Sequence, residues 1–245
     1  MRLKMMALMG LLVCLAAVSF MSAAQEPMAV GGDVDVTSAD LVYPSYLAAP
    51  TEAGTYPAIV LIHSFRGLED GYRTMTDRLA AEGFVVLAVG WQAFAQDPGD
   101  TVMQQLVEDS IAFLSERDDV DPARIGLTGF CAGGRYTMLY LPQISRLKAG
   151  VAWYGFPNNG DPAPVDLVDD LTAPMLVIHG TEDDPSPIAG IYDYATALQN
   201  ADATFELKIY SDEPHGFMLV GGKLREDDVA TDAFNEMVDF FTRKL

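Results

Sequence analysis

Cys131 stands in the stretch Gly129-Phe130-Cys131-Ala132-Gly133-Gly134-Arg135, between a short apolar run at 124–127 and a segment suited to a helix at 135–141. Strand, sharp turn and helix, with a thiol at the turn, is the pattern of a nucleophile elbow. Such a turn strains its central residue and needs small neighbours, because strand and helix crowd it. A free thiol, with a pKa of about 8.5, is mostly protonated at neutral pH, so attack on a carbonyl requires an adjacent base or a stabilised thiolate. His215, in Glu213-Pro214-His215-Gly216-Phe217, can be that base or form an imidazolium–thiolate pair. Asp183, in Gly180-Thr181-Glu182-Asp183, can hold the other ring nitrogen. The backbone N–H of Ala132 and that of Phe65, in the His63-Ser64-Phe65-Arg66 loop, are the candidate donors to an oxyanion. A buried, inert cysteine in a glycine-rich turn is the competing reading of the pentapeptide alone.

These residues must be positioned by the elements around them. Apolar, β-branched runs at 58–63, 84–89, 149–154, 175–179 and 204–210, with the run entering the elbow, read as strands buried on both faces of a parallel sheet. Segments 70–82, 101–116, 188–199 and 228–242 have helical spacing, and Gly83 suits a helix end. Alternating strands and helices imply an α/β class with parallel βαβ units. Segment 41–47 reads as an edge strand or hairpin arm because Pro44 cannot donate to a ladder, and the polar lead at 25–39 is expected to be loosely held. In such a sheet ligands sit beyond the carboxyl ends of the strands. Cys131, Asp183 and His215 all fall there, in the order nucleophile, acid, base that α/β-hydrolases use. If His215 is the base, the rate should fall on the acid side as it protonates.

Arg2 and Lys4, an apolar stretch at 5–20 and Ser22-Ala23-Ala24 form an expected signal peptide, 1–24, followed by the lead and by a single domain at 40–245. Cys14 sits in a poor lipobox, since Val13 replaces a small residue. Cleavage after Ala24 would remove two basic residues and no acid, taking the formal charge from −20 to −22 and leaving Cys131 as the only thiol of an exported, periplasmic or extracellular chain. So acidic a protein repels nucleic acid and anionic membranes, so no nucleic-acid partner and no stable membrane association after cleavage is expected. Three histidines without paired short spacing and one plausible cysteine ligand argue against a metal site, and no cofactor is expected.

Across 43–245 the sequence resembles the dienelactone hydrolases, through the elbow stretch, Gly180-Thr181-Glu182-Asp183 and His215-Gly216-Phe217. The resemblance implies an α/β-hydrolase fold, a mostly parallel sheet flanked by helices, with no sizeable lid domain. It also implies metal-free hydrolysis of a small ester or lactone through a Cys131–His215–Asp183 triad and an acyl-enzyme. Ser64 departs from the family, whose members carry a glutamate there to hold and activate the thiol. Ser64, Arg66, Trp91, Arg135, Tyr154 and Phe217 are the candidate substrate contacts, although Arg135 could equally make a local salt bridge. The alternative function is a non-catalytic binding or redox-sensing protein on a hydrolase scaffold.

Overall fold

A computed structural model describes residues 29–245; the expected signal peptide and residues 25–28 lie outside the described residues. The apolar runs form the interior strands of an eight-stranded sheet. In chain order the elements are β1 (Ala29–Ser38), β2 (Leu41–Pro50), β3 (Tyr56–Ile62), α1 (Asp70–Ala81), β4 (Val85–Val89), α2 (Asp100–Ser115), β5 (Val120–Phe130) and α3 (Ala132–Tyr140). They continue with β6 (Leu147–Trp153), a 3-10 turn (Pro164–Asp170), β7 (Met175–Glu182), α4 (Ile188–Asn200), β8 (Phe205–Pro214), the hairpin β9 (Leu219–Val220) and β10 (Lys223–Leu224), and α5 (Asp228–Lys244). The strand order is β1-β2-β4-β3-β5-β6-β7-β8. β2 runs antiparallel to both β1 and β4, and every pairing from β4 to β8 is parallel. This is the α/β-hydrolase architecture, and between β6 and β7 it carries only the 3-10 turn rather than a lid domain.

Alternation along β3 shows how the sheet is buried twice. Ala58, Val60 and Ile62 join one apolar cluster with Met103, Leu106 and Ile111 of α2 and Tyr136 and Met138 of α3. Ile59 and Leu61 join the other, with Tyr72, Met75 and Leu79 of α1 and Phe234, Met237 and Phe241 of α5. Successive side chains of a strand point to opposite faces, so a strand with helices on both sides must be apolar throughout. All five of these β3 residues are fully buried.

The lead departs from expectation. Residues 29–38 are not loosely held; they form β1, paired with β2 along its length from Ala29↔Pro50 to Ser38↔Leu41. Asp33 and Asp35 face outward while Val36 is fully buried, an alternation of period two. Segment 41–47 is consequently a hairpin arm, as one of its two readings had it, and not the edge, which is β1. Pro44 is tolerated because β2 meets β4 only at Tyr46, Leu47 and Ala48, so at Pro44 the strand has a neighbour on one side alone. The Val36→Ala variant is expected to lower unfolding free energy by about 2 kcal/mol through lost burial and the cavity left behind, read from urea denaturation; an unchanged midpoint would mean that β1 is not docked.

Candidate active site

The elbow is built from close backbone approach. Cys131, between β5 and α3, has φ 59° and ψ −113°, a conformation that costs an L-residue about 1–3 kcal/mol. What holds it there is crowding at the glycines. A Cβ at Gly129 would lie 2.1 Å from the Gly133 carbonyl oxygen, and one at Gly133 would lie 2.1 Å from that of Ile62, at the end of β3. Any side chain at either place would push helix and strands apart. Cys131 N donates to Trp153 O at 3.1 Å, which ties the turn to the end of β6. The thiol is free and partly exposed.

Asp183 follows β7 and His215 follows β8, where a register shift between Gly180 and Glu182 lets the two strand ends converge. The carboxylate is buried, at 3% exposure. His215 Nδ1–H donates to it, 2.8 Å from Oδ2 and 3.0 Å from Oδ1. Oδ1 also accepts from Ser186 N at 2.8 Å. Tyr154 and Phe156 flank the imidazole, with ring centroids at 5.2 and 5.4 Å. Nε2 is buried and makes no hydrogen bond of normal geometry, yet Cys131 is close enough to interact with it electrostatically. Burial pulls the His215 pKa down, but the bond to Asp183 and the proximity of Cys131 outweigh it and carry the value up to about 9. The imidazolium is therefore favoured through neutral pH.

The other histidines brace the loops. His179 Nε2–H donates to Ser186 O at 2.8 Å, burial lowers its pKa, and the neutral ring supports the turn that carries Asp183. His63 donates from Nδ1 to Ser64 O at 2.7 Å and stacks on Trp91 at 5.3 Å, with burial lowering its pKa to about 4. Its carbonyl accepts from Trp91 Nε1 at 3.2 Å. The Ser64–Phe65 turn is thereby fixed opposite the elbow. The backbone N–H groups of Phe65 and Ala132 make no hydrogen bond among the described residues, as donors awaiting an oxyanion would.

A cleft of about 230 Å³ opens on Cys131 and His215 and is lined by Ser64, Phe65, Arg66 and Tyr154 among the expected residues. Trp91, Ala132 and Arg135 lie instead on an adjoining cavity of about 590 Å³, which shares Phe65 with the cleft. Arg135 is committed elsewhere: it grips Asp100 with two bonds of 2.6 and 2.7 Å and donates to Asn159 O. Phe217 does not line either space. It is 3% exposed and packs behind Tyr154, at 5.6 Å, and Trp153. Ser64 Oγ accepts from Arg66 N at 3.2 Å. Sequence reasoning missed Glu69, Tyr72, Leu219 and Gly222, which complete the cleft wall. Glu69 and Tyr72 lie three apart at the start of α1 and so share a face; their place just beyond the carboxyl end of β3 was the available signal. No group of histidine, cysteine and acidic residues suited to a metal occurs among the described residues.

An α/β-hydrolase fold with this convergence at the strand ends defines the class. The dienelactone hydrolase family profile matches residues 43–245, and the chain belongs to that family; it is a hydrolase of the ester and lactone class. It is 31% identical over 86% of its length to a "Putative carboxymethylenebutenolidase" of Methylorubrum extorquens, covering 80% of that protein. A protein of the same name in Escherichia coli is 30% identical, with 86% of each chain covered. The crystal structure of a "Putative Dienelactone Hydrolase" from Klebsiella pneumoniae superposes with a TM-score of 0.79 at 26% identity, over 88% of this chain and 99% of that one.

Since Asp183 sustains the raised His215 pKa against burial, Asp183→Asn is expected to lower it by more than one unit in an NMR titration of the ring protons. An unshifted His215 would contradict the assigned hydrogen bond.

Proposed function

We propose that this protein is an exported hydrolase that cleaves a small ester or lactone through a Cys131 acyl-enzyme, with His215 and Asp183 completing the triad. One observation carries the reading: an imidazole whose Nδ1 is held by both oxygens of a buried carboxylate shares a cleft with, and feels the charge of, a thiol on a strained elbow. The family and the relatives' names support ester or lactone chemistry. Export rests on the sequence of residues 1–24. A redox-sensing binder would have no use for the Asp183–His215 pair or for the free amides of Phe65 and Ala132.

In this reading the reactive form is the thiolate of Cys131 beside the imidazolium of His215. Sγ attacks the carbonyl carbon, and the oxyanion accepts from Phe65 N–H and Ala132 N–H, donors worth about 3–4 kcal/mol each in measured cases. Collapse breaks the carbon–oxygen bond, and the departing alkoxide takes the proton from His215 Nε2. For a lactone that alcohol remains part of the acyl group. Neutral His215 then removes a proton from water, whose oxygen attacks the thioester and releases the acid and the thiolate. Asp183 keeps Nδ1 protonated throughout, so that Nε2 alone exchanges protons.

Two outcomes are expected with aryl esters and simple lactones. Cys131→Ala should lose at least about 10³-fold in kcat, since a nucleophile and its partners act as a unit; retention of the wild-type rate would remove Cys131 from the mechanism. The kcat/KM profile should fall above about pH 9 as His215 loses the proton that the leaving group needs. A rate still rising at pH 10.5 would show that the imidazolium is not the reactive form.

A further inference from the structure

The cleft beside Cys131 holds one carboxylate that no structural task absorbs. Glu69 occupies the N-cap position of α1, yet its side chain makes no capping bond. It forms no hydrogen bond or ion pair with another described residue, unlike Asp33, Asp100 and Glu213, each of which is tied to an arginine. It is partly buried and lines the same space as Cys131, Tyr72, Tyr154 and His215. Its negative charge reaches the buried hydroxyls of Tyr72 and Tyr154, the two tyrosines that also feel the charge of Cys131. The β9–β10 hairpin closes over it. Gly71 N donates to Gly222 O at 2.8 Å, and a Cβ at Gly222 would lie 3.0 Å from Glu69 Oε1.

In the proposed thiolate–imidazolium pair the charges of Cys131 and His215 offset each other, so the sign of the cleft's field is decided between Glu69 and one further cation, Arg66. Arg66 is exposed, where water and salt screen a charge strongly, and it does not figure among the groups acting on Tyr72 or Tyr154. Glu69 is partly buried and therefore the less screened of the two. Beyond Phe65, the adjoining cavity adds Asp97 and Asp161, while its one cation, Arg135, is neutralised by Asp100. Both spaces that meet at Phe65 are thus biased negative, in a chain whose formal charge is −20.

We propose that Glu69 is a specificity-determining residue: it selects esters and lactones whose acyl part carries a positive charge and disfavours those that carry a carboxylate. This deepens the proposed hydrolase reading and rests on it. A carboxylate on the substrate would face Glu69 in a partly dehydrated cleft, where like charges repel far more than in water. An ammonium would pair with it.

The test compares kcat/KM for three 4-nitrophenyl esters of matched length: a neutral pentanoate, an anionic hemisuccinate and a cationic trimethylammoniobutyrate. The wild type is expected to favour the cationic ester over the anionic one. Glu69→Gln should shrink that ratio by about tenfold or more, the effect of removing one nearby charge at intermediate screening, and Glu69→Asp should largely restore it. Arg66→Gln should change the ratio less than Glu69→Gln does. A wild type that prefers the anionic ester, or a Glu69→Gln enzyme with the wild-type ratio, overturns the inference while leaving the hydrolase reading intact. Failure to hydrolyse even the neutral ester would sink both.

Discussion

Backbone crowding at the end of β5 is the constraint on which the site depends. Strand β5, helix α3 and the end of β3 approach so closely at Gly129 and Gly133 that no side chain fits between them. That approach imposes φ 59° on Cys131 and lifts its thiol out of the sheet towards the strand ends. The strain is sustained by a core buried on both faces of the sheet, because a rigid, doubly packed β3–β5–β6 layer cannot relax locally to release it. Stability is thereby spent on presenting one sulfur atom.

Around that atom, electrostatics rather than shape sets the chemistry. Burial by itself would leave His215 neutral, as it leaves His63 and His179. The difference lies in Asp183, whose buried carboxylate faces the ring at 2.8 Å, and in Cys131 on the other side. Three histidines at three strand ends thus receive two opposite protonation states from their surroundings. The two neutral rings hold loops, and the third, between Asp183 and Cys131, favours its charged form. Ser64 brings no carboxylate to its own position, where its Oγ accepts from Arg66 N, whereas Glu69, at the end of the same β3–α1 loop, lines the cleft with Cys131.

Much of this was legible in the chain itself, for physical reasons. Interior strands such as Ala58 to Ile62 read clearly because burial on two faces demands uninterrupted apolar sequence. Cys131, Asp183 and His215 could be singled out as candidates because ligands in such sheets sit beyond the strand ends, where the fold brings these three residues together. β1 was missed because Gly31, Gly32 and the alternating aspartates mask a strand with only one buried face, although the alternation of Asp33, Val34, Asp35 and Val36 was present. The β9–β10 hairpin was missed as well, despite Gly221-Gly222, whose positive φ values of 59° and 78° suit a two-residue turn. Phe217 and Trp91 illustrate a different limit. An aromatic beside a strand end can face the cleft or the core, and only the packing of Tyr154 and His63 decides it.

The central claim is that the acyl group passes through the sulfur of Cys131. Rapid acid quench of the protein turning over a slowly deacylating aryl ester, followed by intact-mass and peptide mass spectrometry, examines it directly. The account predicts a transient mass increase equal to the acyl group, located on the peptide containing Cys131 and labile to hydroxylamine as a thioester is. Steady turnover with no acyl adduct, or an adduct on any other residue, would contradict it.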